Sequence, residues 1–512
     1  MTPLNVPCFD WSMAFRLVSL LLAVAAASCS PVPPSSAIDR LHECGIDEGP
    51  SGAYCGTFEV PENRVSREGR RIALKIVVAP ALRRNAASDP LFVLEGGPGA
   101  GAATLAVDRL PMFRRYRTDR DLVFVDQRGT GESNRLGCDP TADELDEVQT
   151  DDDRATARLK ACLAGYDADP RLYTTPIAMD DLDDVRAFLG YERISLWGGS
   201  YGTRAALVYL RQHEDRVRSV VLDGVAPPDM QLPLHTARDA QRALDRLFAD
   251  CAADAVCHAT FPSLSADTAA LFTRLDTAPA KVQGTHPRTG TPLDISITRR
   301  DVALILFRTL YVPEIASLLP RVLTQAAGGD FQGLLALAFS QASTGDKRDM
   351  ATGMHLSVVC AEDIPRITPA DRAAADASGF LGSAMFDAQY TACGFWPRGE
   401  VPPPYYEPVR SDRPGLVLSG ADDPVTPPDW GAHVLPTLSR SRHIVVPGSG
   451  HITLTRGCVP QLVGKFLETA DPAAIDAACV EALARPPFFV SPTGPAAPTT
   501  RATTASSGAS RP

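Results

Sequence analysis

Ser200 stands between glycines in Trp197-Gly198-Gly199-Ser200-Tyr201-Gly202, with an apolar run before it and a helix-like run after it. A strand that turns at once into a helix needs small residues two before and two after the turn. The turning residue takes a strained backbone conformation that lifts its side chain into the open. The pattern therefore predicts Ser200 as a nucleophile on an elbow. The N–H groups that open the following helix are placed to stabilise an oxyanion. The same five residues also fit a plain serine in a glycine-rich turn, so the partners must decide.

A serine hydroxyl is a poor nucleophile until a base takes its proton, and the base needs an acid to orient it. In a parallel sheet such groups lie beyond the carboxyl ends of strands, in the chain order serine, acid, histidine. Asp422 and Asp423 follow the apolar run at Leu416–Ser419, and Pro424 biases Asp423 towards an extended conformation. Asp423 is therefore preferred to Asp422. Of nine histidines, His451 follows the run Ile444–Val446 through Pro-Gly-Ser-Gly. His443 precedes the same run and is expected at the wrong end. His213, His235, His258, His286, His355 and His433 follow no late strand and read as surface or cap residues. A second oxyanion donor is expected from Glu95-Gly96-Gly97-Pro98-Gly99, which follows Leu91–Leu94. Pro98 has no N–H, so Gly97 is the expected donor, paired with the Tyr201 N–H. Asp126-Gln127-Arg128-Gly129, past another apolar run, reads as a turn bracing that loop.

Strands must deliver these loops to one end of a sheet. Runs at 72–79, 91–94, 122–125, 194–197, 217–222, 415–419 and 444–446 read as strands. They alternate with helical spacing at 178–189, 200–212, 429–438 and 459–468, which indicates an α/β fold with a mostly parallel sheet. The rhythm breaks after Pro227-Pro228, and the chain then reads as largely helical to about Tyr406. The expected organisation is an α/β sheet core at 41–226 and 407–485, with a mainly helical cap inserted at 227–406. The segment from 486 to 512, rich in Pro, Ala, Thr and Ser, reads as a disordered tail.

The net charge of −11, from 50 basic and 61 acidic residues, argues against a nucleic-acid binder. Arg16, the apolar run Leu17–Ala27 and the small residues before Cys29 read as a signal peptide over 1–28, with a linker over 29–40. Met13 is an alternative start. Ala26-Ala27-Ser28-Cys29 also resembles a lipoprotein cleavage box, so membrane attachment through a lipidated Cys29 and plain secretion both stay open. Either way the expected location is secreted, periplasmic or cell-envelope. Ten of the twelve cysteines lie beyond this segment, an even number that reads as disulfides in an exported chain. Pairing between neighbours gives 44–55, 138–162, 251–257, 360–393 and 458–479.

Gly96-Gly-Pro-Gly99, Val125-Asp-Gln-Arg-Gly-Thr-Gly131 and Trp197-Gly-Gly-Ser-Tyr-Gly202 together resemble the signatures of proline iminopeptidases and secreted tripeptidyl aminopeptidases. So do Gly420-Ala-Asp-Asp-Pro-Val-Thr426 and Gly448-Ser-Gly-His451. These are serine exopeptidases of the α/β-hydrolase superfamily. The resemblance implies cleavage of short peptides from a free N-terminus with no metal or cofactor, through Ser200, Asp423 and His451. Glu95 departs from the histidine that many members carry before the glycine run. Acidic cap residues hold the substrate's α-ammonium in such enzymes, and Glu362 in Cys360-Ala-Glu-Asp363 is the expected counterpart. An esterase or other acyl hydrolase with the same triad remains the alternative, since a triad fixes only acyl transfer. The oligomeric state is not legible.

Overall fold

Nine strands form one sheet in the computed structural model, which describes residues 37–138, 152–286, 289–341, 348–376 and 379–496. The expected signal peptide and Cys29 lie outside the described residues, as do 497–512 of the expected tail.

In chain order the strands are β1 (His42–Glu43), β2 (Tyr54–Pro61), β3 (Arg71–Ala79), β4 (Leu91–Leu94), β5 (Leu122–Val125), β6 (Ile194–Gly199) and β7 (Val217–Asp223). They continue with β8 (Ala280–Thr285), β9 (Pro292–Ile297), β10 (Gly415–Gly420) and β11 (Ser441–Val446). The large sheet runs β1-β2-β3-β5-β4-β6-β7-β10-β11. The first three pairings are antiparallel, and the five from β5 to β11 are parallel. This order, with its exchange of β4 and β5 and its parallel second half, is that of the α/β-hydrolase fold.

Both faces of the central strands are covered, which is why these strands read as continuous apolar runs rather than as alternating ones. Leu196, Leu222 and Val417 pack with helices Thr175–Leu189 and Tyr201–Gln212. Trp197, Val221 and Leu418, one residue along in each strand, pack with helices Ala106–Phe113 and Val459–Thr469. The period-two alternation of a strand sends neighbours to opposite faces. Gly190, at φ 81°, ends helix Thr175–Leu189 in the left-handed cap that the sequence signalled.

The insert between β7 and β10 is helical, with one addition. The antiparallel hairpin β8–β9 packs Val282 and Ile297 into the insert's own core. Its second part is divided. On helix Thr352–Glu362, Met354 and Val358 join the core of the large sheet, while Val359 and Cys360 join a smaller cluster with Phe386 and Trp396. The stretch around Glu362 is thus dovetailed into the hydrolase core.

One strand went unread and two expectations are corrected. The eight-residue β2 was not legible, since its Cys, Gly and Pro interrupt any apolar pattern. β11 begins at Ser441, so His443 lies within the strand, with Nε2 2.9 Å from Ser419 Oγ. The expected disordered tail is ordered over 486–496. There Phe488 is buried in the cap's core and the Phe489 N–H donates to Ser317 O at 3.1 Å.

All five neighbour disulfides form, at 44–55, 138–162, 251–257, 360–393 and 458–479. Such a set belongs to an oxidising, extracytoplasmic compartment. Among the described residues, no helix is long and apolar enough to cross a membrane.

Candidate active site

Ser200 sits between β6 and helix Tyr201–Gln212 with φ 56° and ψ −125°. That conformation is strained for a residue with a Cβ, and the surroundings fix it. Its N–H donates to Asp223 O at 2.9 Å, and its carbonyl accepts from Thr203 N at 2.8 Å. The flanking glycines are required by contact. A Cβ on Gly198 would lie 2.3 Å from Gly202 O, and one on Gly202 would lie 2.1 Å from Leu94 O. The elbow helix therefore presses directly on the end of β4.

Leu94 leads into the Gly96–Gly99 loop, which meets the elbow. A Cβ on Gly96 would lie 3.1 Å from Ser200 Cβ and 3.6 Å from its Oγ. Gly97 has φ 113°, a backbone shape that glycine adopts freely. Glu95 points to neither Ser200 nor the loop's N–H groups. Its buried carboxylate accepts from Arg109 Nε at 2.7 Å and Nη2 at 3.3 Å. The Asp126 carboxylate takes Thr104 N, Thr104 Oγ1 and Glu132 N, tying the turn after β5 to the segment beyond Gly99.

The acid and the histidine come from loops after β10 and β11. Asp423 Oδ2 lies 2.8 Å from His451 Nδ1. Its Oδ1 accepts from Val425 N at 2.8 Å and Thr426 N at 2.9 Å, the Asx-type closure that an aspartate offers a turn. Thr426 Oγ1 adds a third donor at 2.8 Å, to Oδ2. Asp422 turns away, 2.8 Å from Arg246 Nε and 2.9 Å from Arg485 Nη2.

Burial pushes the Asp423 carboxyl up, but the His451 charge and hydrogen bond and the backbone donors outweigh it and hold the carboxyl below its usual range. Burial pushes His451 down. The Asp423 charge and hydrogen bond, with the Asp223 charge behind them, outweigh that and hold it above the ordinary imidazole value.

The histidine loop reaches the elbow through Gly224, where a Cβ would lie 3.4 Å from His451 Cε1. Among the described residues, no hydrogen bond joins His451 to Ser200. Catalytic hydrogen bonds are often long without substrate and tighten in the complex. From the cap, Tyr311 O accepts the His451 N–H at 3.0 Å, and its ring stands edge-on to the imidazole at 5.0 Å between centroids.

Glu362 does not join this group. It is fully buried, and its oxygens accept from Thr175 N at 2.7 Å, Thr175 Oγ1 at 2.9 Å and the Tyr405 hydroxyl. Arg204 Nη1 stands 3.5 Å away and pairs with Asp363 at 3.0 Å. All the partners shown for its carboxylate are internal to the protein, and none of them belongs to the Ser200 and His451 loops. Thr175 Oγ1 is also 2.7 Å from the Tyr201 hydroxyl, so the network ends beneath the elbow.

Sequence reasoning missed Thr426, Tyr311 and Asp223. Thr426 had a signal, a threonine three residues after a turn aspartate. Tyr311 had none, because the cap's fold brings it there. No group of three or more metal-ligating side chains occurs among the described residues.

The TAP-like protein family matches residues 378–479. Serine protease Hip1 of Mycobacterium tuberculosis (strain ATCC 25618 / H37Rv) is 27% identical over 457 residues, covering 82% of this chain and 85% of the relative. Tripeptidyl aminopeptidase of Streptomyces lividans is 28% identical over 204 residues, covering 36% and 38%. A solved proline iminopeptidase from Mycobacterium smegmatis is 17% identical with a TM-score of 0.37, covering 82% of this chain and 100% of that one. The sheet order and the elbow are those of the α/β-hydrolase fold, and in sequence the chain is similar to proteins named as a serine protease and a tripeptidyl aminopeptidase.

Proposed function

We propose that the protein is an exported serine aminopeptidase acting on short peptides with a free N-terminus. The observation that carries this reading is the 2.8 Å bond between Asp423 and His451, on loops that converge with the Ser200 elbow at the carboxyl end of one sheet. Ser200 Oγ attacks the scissile carbonyl, and its proton passes to His451 Nε2. Asp423 holds the imidazole in the tautomer with hydrogen on Nδ1 and stabilises the imidazolium. The Gly97 and Tyr201 N–H groups receive the oxyanion. Collapse of the tetrahedral intermediate breaks the C–N bond, and His451 returns the proton to the leaving amine. Water, activated by the same histidine, then releases the acyl group. Export is supported by the Arg16–Cys29 segment and the five disulfides.

The second reading, an esterase, is favoured by the burial of Glu362, which leaves no assigned carboxylate to hold an amine. The deciding experiment is hydrolysis of Pro-, Ala- and tripeptidyl anilides, their N-blocked forms and p-nitrophenyl esters, with Ser200→Ala as control. Cleavage of free-amine anilides alone, lost in the control, supports the aminopeptidase. Ester cleavage without amide cleavage selects the second reading. Equal activity of control and wild type removes Ser200 from the mechanism.

A further inference from the structure

Asp223 ends β7, which lies between β6 and β10 in the sheet. It is fully buried and touches both halves of the site. Its backbone carbonyl accepts the Ser200 N–H at 2.9 Å. Its side chain binds the stretch just after His451. Oδ1 and Oδ2 share the Thr453 N–H at 2.9 and 3.0 Å. Oδ1 takes Thr453 Oγ1 at 3.0 Å, and Oδ2 takes Leu454 N at 2.9 Å.

The histidine loop leaves β11, two strands away from β7, and must return across β10 to reach the elbow. A carboxylate taken wholly out of water is costly unless donors surround it. Here every donor comes from two consecutive residues of that loop. The arrangement is a clamp across β10, with the elbow on one end of a single residue and the histidine loop on the other. Asp223 is not a spare triad acid, because its oxygens are occupied by Thr453 and Leu454 while Asp423 holds His451 Nδ1. Burial pushes its carboxyl up to about 6, against the pull of those donors and of the His451 charge.

We propose that Asp223 is a positioning residue that sets the separation of Ser200 and His451, by holding the elbow through its backbone and the histidine loop through its carboxylate. This rests on the reading of Ser200 and His451 as nucleophile and base. An Asp223→Asn amide must turn its NH2 towards at least one of the loop's N–H donors, so the loop shifts. Substrate binding surfaces are left in place.

The test compares wild type, Asp223→Asn, Thr453→Val, the double variant and Ser200→Ala on the best anilide or ester, with active sites titrated by a fluorophosphonate. Asp223→Asn is expected to lower kcat roughly 10–100-fold, the effect of losing hydrogen bonds to a charged group. KM should stay within about twofold, the split of an interaction needed only in the transition state. Thr453→Val, which deletes one donor and keeps the backbone, should lower kcat less. The double variant should be no worse than Asp223→Asn alone, because the two residues share one interaction. Wild-type kcat per titrated site in both single variants, or their full additivity, overturns the inference. If Asp223→Asn does not fold, Thr453→Val decides. An active Ser200→Ala overturns the underlying reading instead, while an inert one beside a fully active Asp223→Asn overturns the clamp alone.

Discussion

Thr426 Oγ1 donates to Asp423 Oδ2 at 2.8 Å and lies 3.2 Å from His451 Nδ1, so one hydroxyl touches both members of the acid–base pair. Its backbone N–H serves the other oxygen of the same carboxylate at 2.9 Å. Removing the hydroxyl leaves Oδ1 with its two backbone donors and Oδ2 with His451 alone. Thr426→Val keeps the shape and should lower kcat/KM roughly 10–100-fold, the range for a hydrogen bond to a charged group. Thr426→Ser, which keeps the hydroxyl, should stay near wild type. Steady-state kinetics on one anilide and one ester checks both, and equal activity of the valine and serine variants would remove Thr426 from the mechanism.

The pH profile follows from the same pair. His451 acts as a base only when neutral, and its pKa is held above the ordinary 6.5. The acid limb of kcat/KM should therefore lie above pH 6.5. Asp423→Asn removes the largest contributions that raise it, so the limb should move to lower pH while kcat falls on the order of 10³–10⁴-fold. By linkage, the raised pKa contributes stability below about pH 6.5 that is lost as pH rises through the folded value. A limb that does not move between wild type and Asp423→Asn would separate Asp423 from His451 in function.

Much of this candidate site was legible because each of its three loops carries its own local signal. Gly198 and Gly202 announce the elbow by the backbone contacts they permit, and Pro424 and the Pro-Gly-Ser-Gly run mark loops just past strands. The disulfides were legible because each joins neighbours in the chain. What stayed hidden depends on long-range packing. Glu362 looks like any cap carboxylate in sequence, and only the approach of Thr175, Tyr405 and Arg204 makes it internal. Asp223 looks like the last residue of a strand until Thr453 and Leu454, 230 and 231 residues later, arrive on it. Tyr311 belongs to a cap whose sequence carries no catalytic signal.

Glu362 gives a prediction that separates the two roles considered for it. Burial pushes its carboxyl up against the pull of Arg204 and the donors around it. Glu362→Gln should cost about 1–3 kcal/mol of stability by unbalancing Thr175, Tyr405 and Arg204. Selectivity for free over blocked amines should not change. Thermal melting and the ratio of kcat/KM for the two substrates check these together. A selective loss of free-amine activity without loss of stability would restore the substrate role.

Glu95 opens the Gly96–Gly99 loop, and Arg109 holds its carboxylate with a two-point grip. The pair lies at the root of the Gly96–Gly99 loop, so its charge balance bears on the oxyanion donors. Arg109→Ala leaves a buried carboxylate unpaired, which should cost about 1–3 kcal/mol and lower kcat more than it raises KM. Glu95→Gln in the same chain removes the stranded charge and should recover most of the stability. The cycle of wild type, both single variants and the double variant measures the coupling, which should be at least about 0.5 kcal/mol for groups in direct contact. Stabilities that add without coupling would mean that Arg109 serves the helix Ala106–Phe113 and not the loop.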